Sequence, residues 1–267
     1  MLRSVWLKSL RDLRRSFLWW TLGLVGMVAL IVAVYPSVRD NPAIADLRKS
    51  YPDALKAFVA FGGDFDLASP AGYLGSELFS LMVPLLLLIA VVGRAAGTLA
   101  GEEEGGTLDL LLANPISRRR LALEKLVAVV LEGLGLGLVL WLSLLAGARA
   151  AGMEISATNL GAATAAATLL ALAFGTIAFA LGAATGHRAR ATAVTAVLAV
   201  AAYLVNGLAP LVGALEPLQK WSLFYHYTAG DPLRHGLGAG HVTVLIAVTL
   251  VAAAAAPLLF ERRDLGT

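Results

Sequence analysis

The sequence predicts an all-α integral membrane protein with six transmembrane helices and an N-terminal amphipathic helix at the membrane interface. Of its 267 residues, 58% are hydrophobic and only 15% are charged, whereas soluble domains are about 45–50% apolar and about 25% charged. The mean hydropathy is +0.78, and six separate windows are apolar enough to cross a bilayer. This composition excludes a disordered chain, a disulfide-stapled secreted domain and a nucleic-acid reader.

Each predicted span is a window of about 20 mostly apolar residues, which is the length that crosses the hydrocarbon core. Long windows rich in Leu and Ala favour helices over barrel strands, which alternate over about 10 residues. We therefore treat residues 1–267 as a single transmembrane domain. The six windows are Phe17–Tyr35, Leu78–Leu99, Leu126–Ala146, Leu160–Thr185, Ala191–Val212 and His241–Phe260.

Four segments outside the spans complete the predicted domain. Residues 1–16 form a basic amphipathic helix that would lie in the interface, and a plain positive flank of the first span is the alternative. Residues 36–77 form an outer loop and residues 100–125 a cytoplasmic segment. Residues 213–240 form an outer re-entrant or interfacial segment, whose aromatic residues suit the membrane–water boundary. These aromatics are Trp221, Phe224, Tyr225 and Tyr227.

The distribution of Lys and Arg predicts the orientation. Alternate loops and termini carry fourteen of these residues on one side and seven on the other. Cytoplasmic loops are enriched in Lys and Arg, and charges in long outer loops count less. Four of the seven lie in the long loop 36–77. Both termini are therefore expected in the cytoplasm.

The sequence lacks the residues that several kinds of functional site require. The absence of cysteine excludes disulfides, thiolate metal sites and cysteine nucleophiles. The four histidines have no metal-ligand spacing, and the sequence has no phosphate-binding G-x-x-x-x-G-K-[ST] loop. We expect no catalytic, cofactor-binding or metal-binding residue here, and therefore no enzyme activity.

The stretch from Gly101 to Lys125 is the most informative part of the sequence. Thr107–Ala113 reads as a short apolar helix that ends before Pro115, because proline lacks an N–H and biases its predecessor away from helix. Ser117 is predicted as the N-cap of a helix that continues into the third span. The product is a knuckle whose tip carries Leu110, Leu111 and Leu112. An exposed apolar knuckle beside charged residues favours a protein-docking surface over a solvated hairpin.

An acidic run followed by Gly-Thr-Leu-x-Leu-Leu-Leu-x-x-Pro-Ile-Ser-Arg and a lysine resembles the coupling region of ABC-2-type permeases. These are membrane subunits of ATP-binding cassette exporters with the type V exporter-like architecture. The basic N-terminal helix, the six spans, the outer loop and the chain end match in the same order, so the resemblance covers nearly the whole chain. The outer loop contributes Tyr51-Pro52 and Ser69-Pro70-Ala71-Gly72-Tyr73, and the chain end contributes Phe260-Glu261-Arg262-Arg263-Asp264-Leu265.

The resemblance implies a permease subunit of a prokaryotic inner membrane, active as a homodimer or heterodimer with two copies of a separate ABC ATPase. Closure of the ATPases around ATP-Mg would push on the knuckle and the N-terminal helix and reshape a pathway between the permeases. Which of the three glutamates matches the family's acid stays open, and no substrate contact is implied. The implied ATPase-facing or coupling positions are Glu103, Glu104, Gly106, Thr107, Leu108, Leu110, Leu111, Leu112, Pro115, Ser117, Arg118 and Lys125.

Two polar residues within the spans are candidates for the pathway. Glu132 lies about two turns into the third span, where a buried charge is costly and points to function. Arg94 or cavity water is its expected partner, and a structural acid near the interface is the alternative. Asn206 either lines the pathway or hydrogen-bonds a neighbouring helix.

Small residues at four-residue spacing predict close helix packing. They are Gly93, Gly97 and Gly101 in the second span, Gly133 and Gly137 in the third, and Gly182 and Gly186 at the end of the fourth. The fourth and fifth spans are rich in alanine, which predicts tight packing between them.

Two other functions stay open, and a third is excluded. A secondary transporter would show inverted repeats and broken spans, of which there is little sign, and it has no need for the knuckle. A non-transporting membrane scaffold that an ATPase remodels is the other alternative. An intramembrane protease is excluded, because no arginine follows Glu102–Glu104 at the required spacing and the expected histidines are missing.

Overall fold

The computed structural model describes the backbone of residues 5–41, 67–108 and 116–263, and the side chains of these ranges from residue 14 onward. Every regular element in this part of the chain is helical, and six helices are long and apolar enough to cross a membrane. The predicted fold class is therefore confirmed.

The helices are numbered in chain order. Six of them correspond to the predicted spans: α1, α3, α4, α5, α6 and α10. The full set is α1 (Val5–Arg39), α2 (Pro70–Leu74), α3 (Met82–Glu104), α4 (Arg118–Ala150), α5 (Ala157–Thr185), α6 (Arg188–Leu208), α7 (Glu216–Gln219), α8 (Leu223–Thr228), α9 (Pro232–His235) and α10 (Ala239–Arg262). A π-helical turn, Gly75–Phe79, follows α2, and a 3-10 turn, Gly213–Leu215, precedes α7.

The helix ends differ from the predicted windows where polar residues extend a helix. For example, α4 begins at Arg118 and not at Leu126, because hydropathy does not register a charged but well-capped first turn. In contrast, α6 ends at Leu208, before the predicted Val212, since Pro210 has no N–H to continue the ladder.

The basic N-terminal segment and the first span form one continuous helix, α1. The backbone is helical throughout Val5–Arg39, so no break separates the described part of residues 1–16 from the first span, and the interfacial position of this segment stays a prediction. The sequence has no Pro or Gly between Val5 and Leu22, and these are the residues that most often kink a helix. At 1.5 Å per residue, the 35 residues of α1 span about 52 Å, which exceeds the hydrocarbon thickness of about 30 Å. Part of α1 therefore extends beyond the hydrocarbon core.

The outer loop predicted for residues 36–77 is helical at both ends. Pro36–Arg39 forms the last turn of α1, and residues 70–79 form α2 and the π-helical turn. The side chain of Ser69 caps α2 by accepting a hydrogen bond from the N–H of Gly72 at 3.1 Å. Residues 42–66, which include Tyr51-Pro52, lie outside the described residues.

Two tyrosines fasten the start of α2 to α1. The Tyr73 hydroxyl donates to the Ile31 carbonyl at 2.8 Å, and the Tyr35 hydroxyl donates to the Ala68 carbonyl at 3.0 Å. The two rings lie 5.1 Å apart, and both tyrosines are buried. The Ser-Pro-Ala-Gly-Tyr motif of the sequence is therefore a capped helix with a tyrosine anchor.

Helix α5 lies at the centre of the bundle, where it packs most extensively against α3 and α10 and then against α4. Glycine residues allow these close approaches because they have no Cβ atom. A Cβ on Gly137 would lie 2.2 Å from Oγ1 of Thr168, and one on Gly133 would lie 2.7 Å from Cδ2 of Leu172. A Cβ on Gly182 would lie 3.1 Å from the Ala96 carbonyl oxygen. Close packing is confirmed at these three glycines.

Other predicted packing positions turn out differently. A methyl group added at Gly93 or Gly101 would have no described atom within 4 Å, and Gly186 ends α5 with a φ of +68°. The predicted packing between the fourth and fifth spans holds from one side only: α6 packs most extensively on α5, whereas α5 packs more extensively on α3, α10 and α4. Alanine in α5 instead permits contact with several helices at once.

The outer segment 213–240 consists of short helices that cover one end of the bundle. Tyr227 is fully buried, and its hydroxyl donates to the Phe79 carbonyl at 2.7 Å. Phe224 is buried as well, whereas Trp221 is 85% exposed. Phe224 and Tyr227 therefore pack inside the protein and do not present their rings to the surroundings, whereas the position of the segment at the membrane–water boundary stays a prediction.

Candidate functional site

The connection between α3 and α4 leaves the bundle at the end where the basic helix termini meet. We call this end, which carries Glu102–Glu104, Arg118, Lys125, Arg188 and Arg263, the charged end. The structure describes eight of the twelve coupling positions inferred from the sequence. The other four, Leu110, Leu111, Leu112 and Pro115, lie outside the described residues, so the apolar tip of the knuckle stays a prediction.

Three consecutive glutamates at the end of α3 each bind a different part of the bundle. Glu102 forms an ion pair with Lys125 of α4, and Glu103 forms one with Arg263, the residue after α10. Oε1 of Glu104 accepts a hydrogen bond from the backbone N–H of Arg188, the first residue of α6, at 3.0 Å. Successive side chains on a helix point about 100° apart, so three neighbours can reach three directions. Each of the three glutamates therefore has a partner outside α3.

The Glu102–Lys125 pair lies largely inside the protein. The Lys125 side chain is only 5% exposed, and a buried ammonium requires a partner to offset the loss of hydration. Glu102 supplies that partner from the last turn of α3. The pair therefore holds the end of α3 against the first turns of α4.

Glu104 caps a helix other than its own. The first N–H groups of a helix have no partner within the helix, and the helix dipole makes that end favourable for a negative charge. In the described residues, the N-cap residue of α6, His187, makes no side-chain cap of its own. The carboxylate of Glu104 takes its place and ties the end of α3 to the start of α6.

The connection between α3 and α4, residues 105–117, is called the coupling segment below. It starts with a helix-ending turn that needs glycine. The N–H of Gly106 donates to the Glu103 carbonyl at 2.9 Å, and that of Thr107 donates to the Glu102 carbonyl at 2.8 Å. Gly106 has a φ of +66°, so this is the Schellman arrangement with glycine at the left-handed position. The Gly-Thr of the sequence motif thus fixes the direction in which the segment leaves α3.

Both described ends of the coupling segment are anchored. Leu108 is 2% exposed and belongs to the main hydrophobic core, so its side chain is covered by the protein itself. At the other end, Oγ of Ser117 accepts from the N–H of Arg120 at 3.3 Å, which confirms the predicted N-cap. Arg118, the first residue of α4, donates to the Arg263 carbonyl at 2.9 Å.

A comparison with protein families decides the classification. The model of a family described as ABC-2 family transporter protein matches residues 3–265. The chain belongs to the ABC-2 transporter family. It is accordingly a membrane-embedded permease component of an ABC transporter, a family whose members are membrane transport components, not themselves catalytic, and which implies association with an ABC ATPase. A search of curated proteins gives no match.

The two polar candidates within the spans of this ABC-2 chain have partners. Glu132 is buried, and its Oε2 lies 3.6 Å from Nε of Arg94, one of the two partners expected from the sequence. Asn206 donates to Oγ1 of Thr228 at 3.5 Å and accepts from Gln219 at 3.4 Å. Asn206 thus hydrogen-bonds the outer segment, and Glu132 joins α4 to α3.

An apolar cavity of about 290 Å³ lies between α3 and α6. Leu88 and Val92 of α3 line one side, and Thr195 and Tyr203 of α6 line the other, with Phe224 of α8 against the Tyr203 ring at 5.2 Å. Among the described atoms, Oγ1 of Thr195 is buried without a hydrogen-bond partner. Sequence reasoning missed this cavity, because a uniformly apolar span does not indicate which of its faces borders a void.

The structure also brings together two histidines that the sequence leaves unrelated. Nδ1 of His226 in α8 lies 3.1 Å from Nδ1 of His241 in α10. Nε2 of His226 lies 2.9 Å from the Lys220 carbonyl oxygen, so it carries the proton, and Nδ1 of His226 accepts from His241. The described residues contain no group of three metal-ligating side chains. The pair forms a hydrogen bond between the outer segment and α10.

Proposed function

We propose that this chain is the permease subunit of an exporter in a prokaryotic inner membrane and that it forms the translocation pathway as a dimer. Two copies of a separate ATPase bind ATP-Mg and drive it. Both termini and the charged end face the cytoplasm, where the ATPase docks. The observation that carries this proposal is the division of Glu102, Glu103 and Glu104 among three different helix partners at the start of the coupling segment.

This arrangement suits the transmission of movement. The coupling segment leaves α3 through a fixed glycine turn and enters α4 through a capped first turn, so both connections are stiff. A force that reaches Leu108 or Ser117 is therefore passed to the ends of the adjoining helices. It displaces the ends of α3 and α4, and the glutamates pass the displacement to α6 and to the end of α10.

We further propose that the cavity between α3 and α6 receives an apolar part of the cargo. Its lining is almost wholly hydrocarbon and aromatic, which favours apolar groups over charged ones. Of the helices that border it, α3 carries the three glutamates and α6 is capped by one of them. Movement at the charged end would thus change the separation of the two cavity walls.

Purification of a tagged chain together with the ATPase encoded beside it tests the proposal. We expect a 2:2 complex whose ATP hydrolysis depends on the permease. Leu111→Asp would place a charge at the apolar tip and should abolish complex formation or permease-dependent hydrolysis while membrane insertion is retained. The matched control is Leu218→Asp, at an exposed leucine in the outer segment, which should leave both unchanged.

Other results would favour the alternatives. A stable chain that binds no ATPase and takes up substrate with an ion gradient would be a secondary transporter. A complex that hydrolyses ATP without moving any cargo in vesicles would be a remodelled scaffold. Normal complex formation and hydrolysis by Leu111→Asp would remove the docking role of the knuckle.

A further inference from the structure

Arg263, the residue after α10, contacts the ends of three other helices. Its guanidinium pairs with Glu103 at the end of α3 and donates through Nη1 to the Ala183 carbonyl, in the last turn of α5, at 3.1 Å. Its own carbonyl accepts from Nη1 of Arg118, the first residue of α4. These contacts join positions 160, 80 and 145 residues apart in the chain.

The local chemistry fits arginine closely. The Ala183 carbonyl belongs to the last turn of α5, where carbonyls lack partners within the helix and a positive charge is favourable. A guanidinium can donate to this carbonyl and to Glu103 at the same time, because its donors form a rigid planar fork, whereas a lysine ammonium is a single point charge. Nη1 serves the Ala183 carbonyl and Nη2 serves Glu103, two positions that a lysine would have to reach with one nitrogen.

Gly186 provides the space that the guanidinium occupies. A Cβ at this position would lie 2.7 Å from Nη1 of Arg263, so any larger residue would displace the arginine. The same glycine ends α5 with a positive φ of 68°. Gly186 therefore ends α5 and also leaves room for the Arg263 side chain, which binds the last turn of α5.

We propose that Arg263 is a positioning residue that transmits movement of the coupling segment to α5 and α10. The inference rests on the proposed function. Glu103 lies just before the coupling segment and Arg118 just after it, so Arg263 holds both ends of the segment against α5. A displacement of either end must carry Arg263 with it, and α10 is joined to Arg263 by the chain itself.

The Arg263–Glu103 ion pair is exposed enough to open and close. The side chains of Arg263 and Glu103 are 17% and 29% exposed, so water reaches both when the pair opens. A fully buried pair would leave a bare charge on opening, which is strongly unfavourable. The pair can therefore rearrange within a transport cycle without unfolding the end of the bundle.

The chain has no cysteine, which allows a clean test. A single cysteine at the exposed position Glu261 would report on the end of α10 through its rate of maleimide labelling in the ATPase complex. In the otherwise unchanged chain this rate should differ between ATP-trapped and nucleotide-free states. Arg263→Gln should make the two rates equal and lower permease-dependent hydrolysis at least about fivefold, the lower range of allosteric coupling, while the complex still elutes intact.

Arg262→Gln is the matched control, since Arg262 is an exposed arginine next to Arg263 and should keep both responses. Arg263→Lys should give a partial loss, because a lysine has its three N–H donors on one nitrogen, whereas Arg263 reaches Ala183 and Glu103 with two separate nitrogens. If Arg263→Gln does not fold, Glu103→Gln breaks the same pair from the other side and should give the same loss.

The outcomes separate the inference from the function beneath it. If the unchanged chain binds no ATPase or does not stimulate hydrolysis, the proposed function is wrong. If the unchanged chain is coupled and the Arg263→Gln and Glu103→Gln variants respond to ATP as Arg262→Gln does, only the role of Arg263 is wrong.

Discussion

Glu104 accepts a hydrogen bond from the backbone N–H of Arg188 at 3.0 Å, and through it the last residue of α3 caps the first turn of α6. The two residues are 84 positions apart. The contact makes the direction of α6 depend on the end of α3, and therefore on the coupling segment that follows it.

Replacement of Glu104 tests this cap. Glu104→Ala removes the acceptor and should destabilise the protein by about 0.5–2 kcal/mol, the usual range for a lost N-cap. Glu104→Gln keeps an oxygen acceptor and should lose less. Melting of the purified protein in lipid nanodiscs measures both, with Glu261→Ala, at an exposed glutamate near the end of α10, as the control. A melting temperature of Glu104→Ala equal to that of the unchanged chain would argue against the cap.

Removal of Lys125 leaves Glu102 without its charged partner. Because the Lys125 side chain is 5% exposed, Lys125→Ala should cost about 3–5 kcal/mol, as expected for breaking a buried pair. The double variant Lys125→Met/Glu102→Gln removes both charges and should recover much of that loss. A double-mutant cycle by denaturant unfolding measures the coupling between the two residues.

An ion pair on the same helix, with an exposed arginine and a half-buried glutamate, is the control for that cycle. Nε of Arg120 lies 2.9 Å from Oε1 of Glu124, and the arginine side chain is 69% exposed. Its coupling should be only about 0.3–0.5 kcal/mol. Equal coupling energies for the two pairs would show that burial does not strengthen the interaction between Lys125 and Glu102.

A methyl group at Gly137 should separate α4 from α5. The new Cβ would lie 2.2 Å from Oγ1 of Thr168, and overpacking of this kind costs about 1–3 kcal/mol. Gly137→Ala/Thr168→Ala removes the obstructing atoms and should restore most of the stability. Gly93→Ala, with no described atom within 4 Å of its new methyl, should not destabilise. Thermal unfolding compares the three, and a stable Gly137→Ala would mean that the helices are not this close.

The His226–His241 contact should make the outer segment sensitive to pH. Burial lowers the pKa of His226 more than its hydrogen bond to the Lys220 carbonyl raises it, so folding favours the neutral ring. The stabilisation is then fully present above the unfolded pKa of about 6.5. This stabilisation is lost as the pH falls from the unfolded pKa through the lower pKa that His226 has in the folded protein.

The measurement is the fall in melting temperature between pH 7.5 and pH 5.5. His226→Gln should show a smaller fall than the unchanged chain, because the variant lacks the group whose protonation opposes folding. His187→Gln, at an exposed histidine, should fall as the unchanged chain does. An identical fall in all three proteins would show that the histidine pair does not respond to pH in this range.

The six spans, the N-cap at Ser117 and the family could all be predicted from the amino-acid sequence. These features depend on hydropathy over about 20 residues, on side chains within one turn of a helix end, or on a contiguous motif. Each is a local property, so neighbours in sequence suffice to define it. The pairing of Glu132 with Arg94 could be anticipated too, because a charge within an apolar span restricts its choice of partners.

The tertiary structure decided how the helices are rotated and which ends meet. The rotation of each helix about its axis gives Glu102, Glu103 and Glu104 separate partners. Tyr227 packs in the core, although the composition of its segment suggested the membrane surface. The tertiary structure also brought His226 to His241 and Arg263 to Ala183. Hydropathy is insensitive to rotation in a helix that is apolar on all sides, and contacts between residues 80 to 160 positions apart arise only when the whole bundle packs.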